Sequence, residues 1–447
     1  MGFIGRRSEL AELNAHLDDV RRSTHRHPGV VVVVRGPRRV GKSRLAAEFV
    51  GGCGAPSAHI EARDIEATTE ELLTRIDELA GPKAAVVVID NASSLLRDPS
   101  DVDSLRRTWD HHLARRRILL LLLVSEPDSV DAPTGPDRAW RGRSATLTVE
   151  PVDPAEIAEL TGQDAFGAID SYLITGGLPL SVAEWERDMA RDDFLRASFE
   201  RSTSALVVTG QRLLDASLPD TSYARSVLAA IGRGERTFTN IHNAVADGSM
   251  SRNSLTANLE ALSAAGLIVG DEPLSTRPAP KDRRWRVIDP ALSFWLTFVE
   301  PVMGAVDRSR PDEAMRLVNE GYGSWRVRTV AAVVHDALAR LLPERRWPEV
   351  RRVGGWWSRG KSAELAVVGA DDAPASRVSV VGTIAWRRID PLSTTEIGRL
   401  AADAAKVPGV DGDTALVAVC PAGCTADDRI AQVWSAEDLL DAWTRAR

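Results

Sequence analysis

The chain has 447 residues, 44% of them hydrophobic and 27% charged, and a formal net charge of −7. That length predicts two to four domains, and the acidic balance excludes a global attraction to nucleic acid or anionic membranes, so any such contact needs a local patch. The apolar runs are too short to span a bilayer, the N-terminus lacks a signal-peptide pattern, and three cysteines exclude a disulfide scaffold, so a cytoplasmic protein without a membrane partner is expected.

In chain order, the first strong signal is the valine run 30–34 followed by Gly36-Pro37-Arg38-Arg39-Val40-Gly41-Lys42-Ser43 and then by Arg44-Leu45-Ala46-Ala47-Glu48-Phe49. The pattern predicts a buried strand, a glycine-bounded loop and a helix, and the loop fits G-x-x-x-x-G-K-[ST] without a mismatch. Gly36 and Gly41 let the loop wrap so that backbone N–H groups face a phosphate. The helix N-terminus adds its dipole. Lys42 reaches the β- and γ-phosphates, and the Ser43 hydroxyl holds Mg²⁺. ATP or ADP with Mg²⁺ is therefore the expected ligand.

A second strand, residues 84–89, ends in Asp90, placed to position Mg²⁺ beside such a loop. Asn91 follows. An amide has no basic carboxylate, so Asn91 cannot act as a general base and hydrolysis is expected to be slow or absent. A third strand, residues 118–124, ends in Ser125-Glu126, where a polar group can sense the γ-phosphate. Arg141 and Arg143 either touch a phosphate or are solvated loop residues. The strand and helix order predicts an α/β fold: a P-loop NTPase parallel sheet between helices, with ligands at the strands' carboxyl ends.

Residues from about 222 to 288 read as three helices and a two-stranded wing. The third helix is expected to present Arg252, Asn253, Thr256 and Asn258 outward, and the wing carries Lys281, Arg283, Arg284 and Arg286, which suits phosphate rather than base contacts. Packing within the protein and DNA contact both remain open. Cys420 and Cys424 lack the C-x-x-C spacing and read as incidental thiols.

With these residues in place, the chain resembles the AAA+-related STAND ATPases. Phe3-Ile4-Gly5-Arg6-Arg7-Ser8-Glu9-Leu10 is similar to their F-[VI]-G-R-x-x-E-L segment, which implies that Phe3, Ile4, Gly5 and Arg6 lie against the adenine. Gly176-Gly177-Leu178-Pro179-Leu180 resembles their G-x-P motif, which implies that Pro179 approaches the nucleotide from a helical lid. Trp285-Arg286-Val287-Ile288-Asp289-Pro290 followed by Phe294-Trp295-Leu296-Thr297-Phe298 resembles a hallmark of the archaeal-type MNS clade. The family usually carries Asp-Glu where this chain has Asp90-Asn91.

The resemblance extends through a C-terminal αβ domain related to PD-(D/E)xK, restriction-endonuclease-like folds. It implies that Glu364-Leu365-Ala366 and Thr383-Ile384-Ala385-Trp386 stand where acids and a lysine would hold a catalytic metal, with Ala331 at a helical glutamate position. Glu364 alone remains, so nuclease activity is not expected.

The domains expected are a P-loop core over 1–150, a helical lid over 151–220, a winged helix-turn-helix over 221–300 and a degenerate nuclease-like domain over 301–447. The basic cluster Arg345, Arg346, Arg351, Arg352, Arg359 and Lys361, with Trp347, Trp356 and Trp357, reads either as a surface for DNA or protein or as core tryptophans with solvated arginines. Docking through Arg351, Arg352 and an exposed edge of Trp386 is expected. The expected function is a nucleotide-dependent switch or scaffold that acts on a protein partner, on itself by assembly, or on DNA. The alternative is a working ATPase.

Overall fold

A computed structural model describes residues 5–444 apart from 80–82, 97, 126–143, 246–249, 278, 307–309 and 360–362. The chain forms two compact units, Met1–Val152 and Asp153–Arg447.

Unit 1 is a five-stranded parallel sheet in the order β2-β3-β4-β1-β5. The strands are β1 (Val30–Gly36), β2 (Ser57–Glu61), β3 (Ala85–Asp90), β4 (Ile118–Ser125) and β5 (Ser144–Thr148). The central strands are continuous β-branched and leucine runs because a parallel sheet is covered on both faces. Alternation then sorts each run between two cores. Val31, Val33, Val87, Ile89, Leu120 and Leu122 face α3 (Ile65–Glu78) and α4 (Pro99–Thr108), packing on Leu72, Ile76, Val102 and Leu105. Val32, Val34, Val86, Val88, Leu121 and Leu123 face α1 (Arg7–Arg22) and α2 (Lys42–Cys53), packing on Leu13, Leu17, Leu45 and Phe49. Each fully buried aliphatic side chain contributes about 1.5–3 kcal/mol. Every strand's C-terminal end lies along one edge, which is where the loop after β1 and Asp90 stand.

Unit 2 begins with helices Pro154–Thr161, Ala165–Thr175, Pro179–Ala183, Arg191–Phe199 and Ala205–Ser217. Three further helices, Ala224–Gly232, Phe238–Val245 and Arg252–Ala264, lead into the antiparallel pair β6 (Ile268–Asp271) and β7 (Arg284–Val287). The helix Pro290–Phe294 continues through a wide π-turn, Trp295–Val299. The long helix Pro311–Leu341 then leads to a separate five-stranded sheet, order β12-β11-β10-β9-β8. Its strands are β8 (Arg352–Trp357), β9 (Glu364–Ala370), β10 (Val378–Ile384), β11 (Ala415–Val419) and β12 (Ile430–Trp434); β8, β9 and β10 pair antiparallel and β10, β11 and β12 parallel. No helix among the described residues is long and apolar enough to cross a membrane.

The core of unit 2 is organised by the aromatic block after β7. Phe294, Trp295 and Phe298 are almost fully buried. Phe294 meets Trp325 edge-on with ring centroids 5.3 Å apart. The Trp295 indole N–H donates to the Val207 carbonyl at 2.8 Å, and its ring lies so close to Gly210 that a Cβ there would come within 2.2 Å.

Three expectations are corrected here. Asn258 does not face outward: it is buried, accepting from the Thr221 hydroxyl at 2.7 Å and donating to the Ser254 carbonyl at 2.8 Å. A polar side chain on an inward helix face is tolerated because both its groups are satisfied. Arg252, Asn253 and Thr256 are exposed as expected. Trp386 has no exposed edge: its ring stacks on Phe166 at 5.0 Å and its N–H donates to Asp170 at 2.9 Å. Of the wing cations, Arg284 is buried. It pairs with Glu364 at 2.7 Å, Arg286 pairs with Asp271 at 2.8 Å, and Arg283 pairs with Glu272. Trp347, Trp356 and Trp357 are buried in the core while Arg345, Arg351 and Arg352 are exposed.

Candidate functional site

The loop from Gly36 to Gly41 connects β1 to α2 as the spacing predicts. Gly41 precedes the helix at φ 98° and Arg39 sits at φ 68°, both in the left-handed region. Gly36 admits no side chain, since a Cβ would lie 2.2 Å from the Val149 carbonyl oxygen. Lys42 is buried at the first turn of α2, and its ammonium donates to the carbonyls of Gly36 and Pro37, both at 2.8 Å. A buried cation held at the mouth of a helix N-terminus fits an anionic phosphate chain. Val40 is buried below the loop, Pro37 and Arg38 are half-buried, and Ser43 and Arg44 are exposed on α2. Arg44 faces Glu48 at 3.9 Å.

The N-terminal segment reaches this loop. Arg6, itself left-handed at φ 66°, donates to the Val40 carbonyl at 3.2 Å and to Glu9 at 2.9 Å. Burial pushes the Glu9 carboxyl up, but hydrogen bonds from Ser8, its own backbone and Arg6, with the Arg6 charge, hold it below its ordinary value. Gly5 precedes Arg6 in the left-handed region. Phe3 and Ile4 lie outside the described residues, as do Glu126, Arg141 and Arg143.

At the end of β3, Asp90 is mostly buried and accepts from the Asn91 backbone N–H at 2.8 Å. Asn91 stands at φ 55°. Asparagine tolerates the left-handed region better than glutamate does. Among the described residues of unit 1, the non-glycine residues with such a φ are Arg6, Arg39 and Asn91, all at this edge of the sheet. Backbone strain concentrated in one place is a mark of a functional site. On the neighbouring strand end, Ser93 accepts from the Ser125 backbone N–H at 2.9 Å.

Sequence reasoning missed Glu61. The register of β2 and β3 sets Glu61 beside Asp90, and the Asn91 amide donates to the Glu61 carboxylate. His59, two residues earlier, lies 3.7 Å from Asp90. One ligand atom each from His59, Glu61 and Asp90 fall within 4.8 Å of one another. The strand β2 buries little beyond Ile60, so its sequence carries no strong strand signal.

In unit 2, Pro179 is the first residue of the short Pro179–Ala183 helix. The preceding Gly176, at φ 61°, packs against Asp289, where a Cβ would lie 2.6 Å from the carboxylate. Two motifs far apart in sequence thus meet. Asp289 caps the Pro290–Phe294 helix, accepting from Ala291 at 2.8 Å, and burial pushes its carboxyl up to about 6. Between about pH 4 and pH 6 the folded protein therefore holds a proton here that the unfolded chain, titrating near 3.8, has released. The group's contribution is full below about pH 4 and is lost as pH rises through about 6, on the order of 2–3 kcal/mol. Asp289→Asn keeps a capping oxygen and should flatten this slope, leaving the variant the more stable at pH 7. Denaturant unfolding across pH 4.5–7.5 reads the difference; parallel profiles for the two proteins would refute it.

Glu364, Thr383 and Ala385 line one cleft of about 460 Å³ beside Glu396 and Arg399. Its carboxylates are already engaged: Glu364 by Arg284, and Glu396 by two 3.0 Å contacts from Arg387. The Arg387 and Ser393 hydrogen bonds hold Glu396 down at about 2. Cys420 is buried and Cys424 half-buried, both as free thiols, and burial with Cys420 and Asp427 nearby raises the Cys424 thiol.

The parallel sheet, the glycine-bounded loop after β1 and the lysine opening α2 define the α/β fold of P-loop NTPases. Comparisons with known proteins give few further names. The family model DUF234, described as archaeal and bacterial proteins of unknown function, matches residues 295–397. Solved structures similar to the chain include the Aeropyrum pernix ORC2 protein in ADPNP–ADP complexes, at 14% identity over 70% of this chain and 96% of that one, with a TM-score of 0.42. Another is the Aeropyrum pernix ORC1 protein in complex with DNA, at 12% identity over 70% of this chain and 94% of that one, with a TM-score of 0.38. No curated protein matches.

Proposed function

We propose that the chain binds ATP or ADP with Mg²⁺ at the Gly36–Ser43 loop and works as a STAND-type nucleotide-dependent switch or scaffold. The observation that carries this reading is the buried Lys42 ammonium held over the loop at the start of α2. Gly36 to Arg44 cradle the phosphates, Ser43 and Asp90 take the metal, and Phe3 to Arg6 cover the base. The three helices and β6–β7 pair act as a winged helix-turn-helix over 221–300, and residues 301–447 act as a degenerate nuclease-like domain for docking rather than cleavage. Ion pairing of Arg283, Arg284 and Arg286 within the chain favours a protein partner or self-assembly over DNA. The test is nucleotide extracted from the purified protein together with calorimetry using Mg·ATP and Mg·ADP. Failure to bind either would refute the reading.

Hydrolysis is slow in this reading because Asn91 cannot accept a proton from water. One observation favours the working ATPase instead: the Glu61 carboxylate beside Asp90, oriented by the Asn91 amide. Losing a general base costs about 10²–10⁴-fold. Whatever turnover the protein shows under saturating Mg·ATP should therefore fall by about 10²-fold or more in Glu61→Gln, with nucleotide affinity kept. Unchanged turnover in that variant would remove Glu61 from the chemistry. Asn91→Glu is the poorer probe, since the left-handed backbone there costs glutamate about 1–2 kcal/mol.

A further inference from the structure

Unit 2 contains a cavity of about 240 Å³ remote in sequence from the P-loop. It lies among the turn after the Ala224–Gly232 helix, strand β7, the Pro311–Leu341 helix and Trp443 near the chain's end. Its walls are aromatic and aliphatic, with Trp285, Trp325 and Trp443 among them. Into this setting come two half-buried arginines from different elements, Arg236 and Arg328. The Arg328 guanidinium lies against Gly234, close enough that a Cβ there would sit 3.1 Å from it.

The charges facing the cavity do not balance. Of the lining residues, Arg286 is matched by Asp271 and Asp336 by Arg340, and Arg284 next to Trp285 is matched by Glu364. Among the described residues no carboxylate forms an ion pair with Arg236 or Arg328; Glu235 acts on Arg328 only at longer range. Burial, with the charges of Arg284 and Arg328, holds Arg236 below the ordinary arginine value despite Glu364 and Asp271. Burial does the same to Arg328 against the pull of Glu235. A half-buried guanidinium without an ion-pair partner keeps its donors available, and planar oxyanions are what those donors fit.

We infer that this cavity is a binding site for a small oxyanion, a phosphate or carboxylate group seated between Arg236 and Arg328 with any apolar body against the tryptophans. The volume lies just below the range typical of ligand pockets, which limits the occupant to a small metabolite or a single terminal group. The site is separate from the nucleotide loop and stands whether or not that loop binds ATP.

Calorimetry on the full chain carrying Lys42→Ala, at low ionic strength, isolates it from the P-loop. Inorganic phosphate and acetate are the probes, and the tighter of the two names the chemistry. Binding of at least one at millimolar concentration is expected, weakened tenfold or more by Arg236→Gln with Arg328→Gln and partly restored by lysine at both positions. Without a probe, the double glutamine variant should unfold at the same temperature or higher, since two half-buried cations that pair with no carboxylate among the described residues are gone. No binding by either probe, binding indifferent to the glutamines, or a clearly lower unfolding temperature would each overturn the inference.

Discussion

Lys42→Ala will lose nucleotide affinity by two orders of magnitude or more. The ammonium is buried at the first turn of α2 and already spends its hydrogen bonds on the carbonyls at Gly36 and Pro37. A phosphate chain seated on the loop brings stronger, charged acceptors to the same nitrogen. Charge-assisted hydrogen bonds to such groups contribute about 1.5–3 kcal/mol each, so losing two costs about 3–6 kcal/mol. The substitution leaves the helix intact because alanine is the best helix former. Calorimetry with Mg·ADP and Mg·ATP on both proteins decides the matter, with circular dichroism as the check on folding. Equal affinities would show that the loop does not hold phosphate and would sink the switch.

The second large effect lies in unit 2. Trp295→Ala should destabilise that unit by about 3–5 kcal/mol. The ring packs tightly against Gly210, belongs to the same core as Phe294, Phe298 and Leu214, and ties its indole N–H to Val207. Removing it leaves a cavity in the core and takes away the second hydrogen bond of the Val207 carbonyl, which lies inside the Ala205–Ser217 helix. Trp295→Phe keeps most of the volume and loses the hydrogen bond, so its cost should be smaller, about 1–2 kcal/mol. Denaturant midpoints of the three proteins order the effect. A midpoint for the alanine variant equal to that of the unmodified chain would remove Trp295 from the core.

The glycine-bounded loop was legible because its geometry is local. A valine run, two glycines and a lysine at fixed spacing specify strand, wrap and helix within about twenty residues, and the strand's burial on both faces is written in its continuous hydrophobicity. The place of Asp90 at the end of β3 was legible for the same reason. The αβ character of the C-terminal part was implied by the resemblance, and the segments that carried it lie on and just after β9 and β10.

What sequence could not show depends on register and on which faces meet. Glu61 becomes part of the site only because β2 pairs with β3 so that residues 61 and 90 align; a short strand at the sheet's edge, with a single buried side chain, gives no local sign of that. Asn258 reads as a solvent-facing polar residue until Thr221 is seen to cap it, and Trp386 reads as a docking edge until Phe166 and Asp170 cover it. The wing arginines looked available for phosphate until Glu272, Glu364 and Asp271 came to them from residues distant in the chain or across the hairpin. By itself, then, the sequence determined the α/β P-loop core and the places of its glycines and lysine, since backbone geometry and short-range spacing set them. Tertiary structure alone decided which charges are matched, which polar groups are buried, and where a carboxylate stands beside Asn91, because ion pairing and desolvation are settled only when separate elements pack.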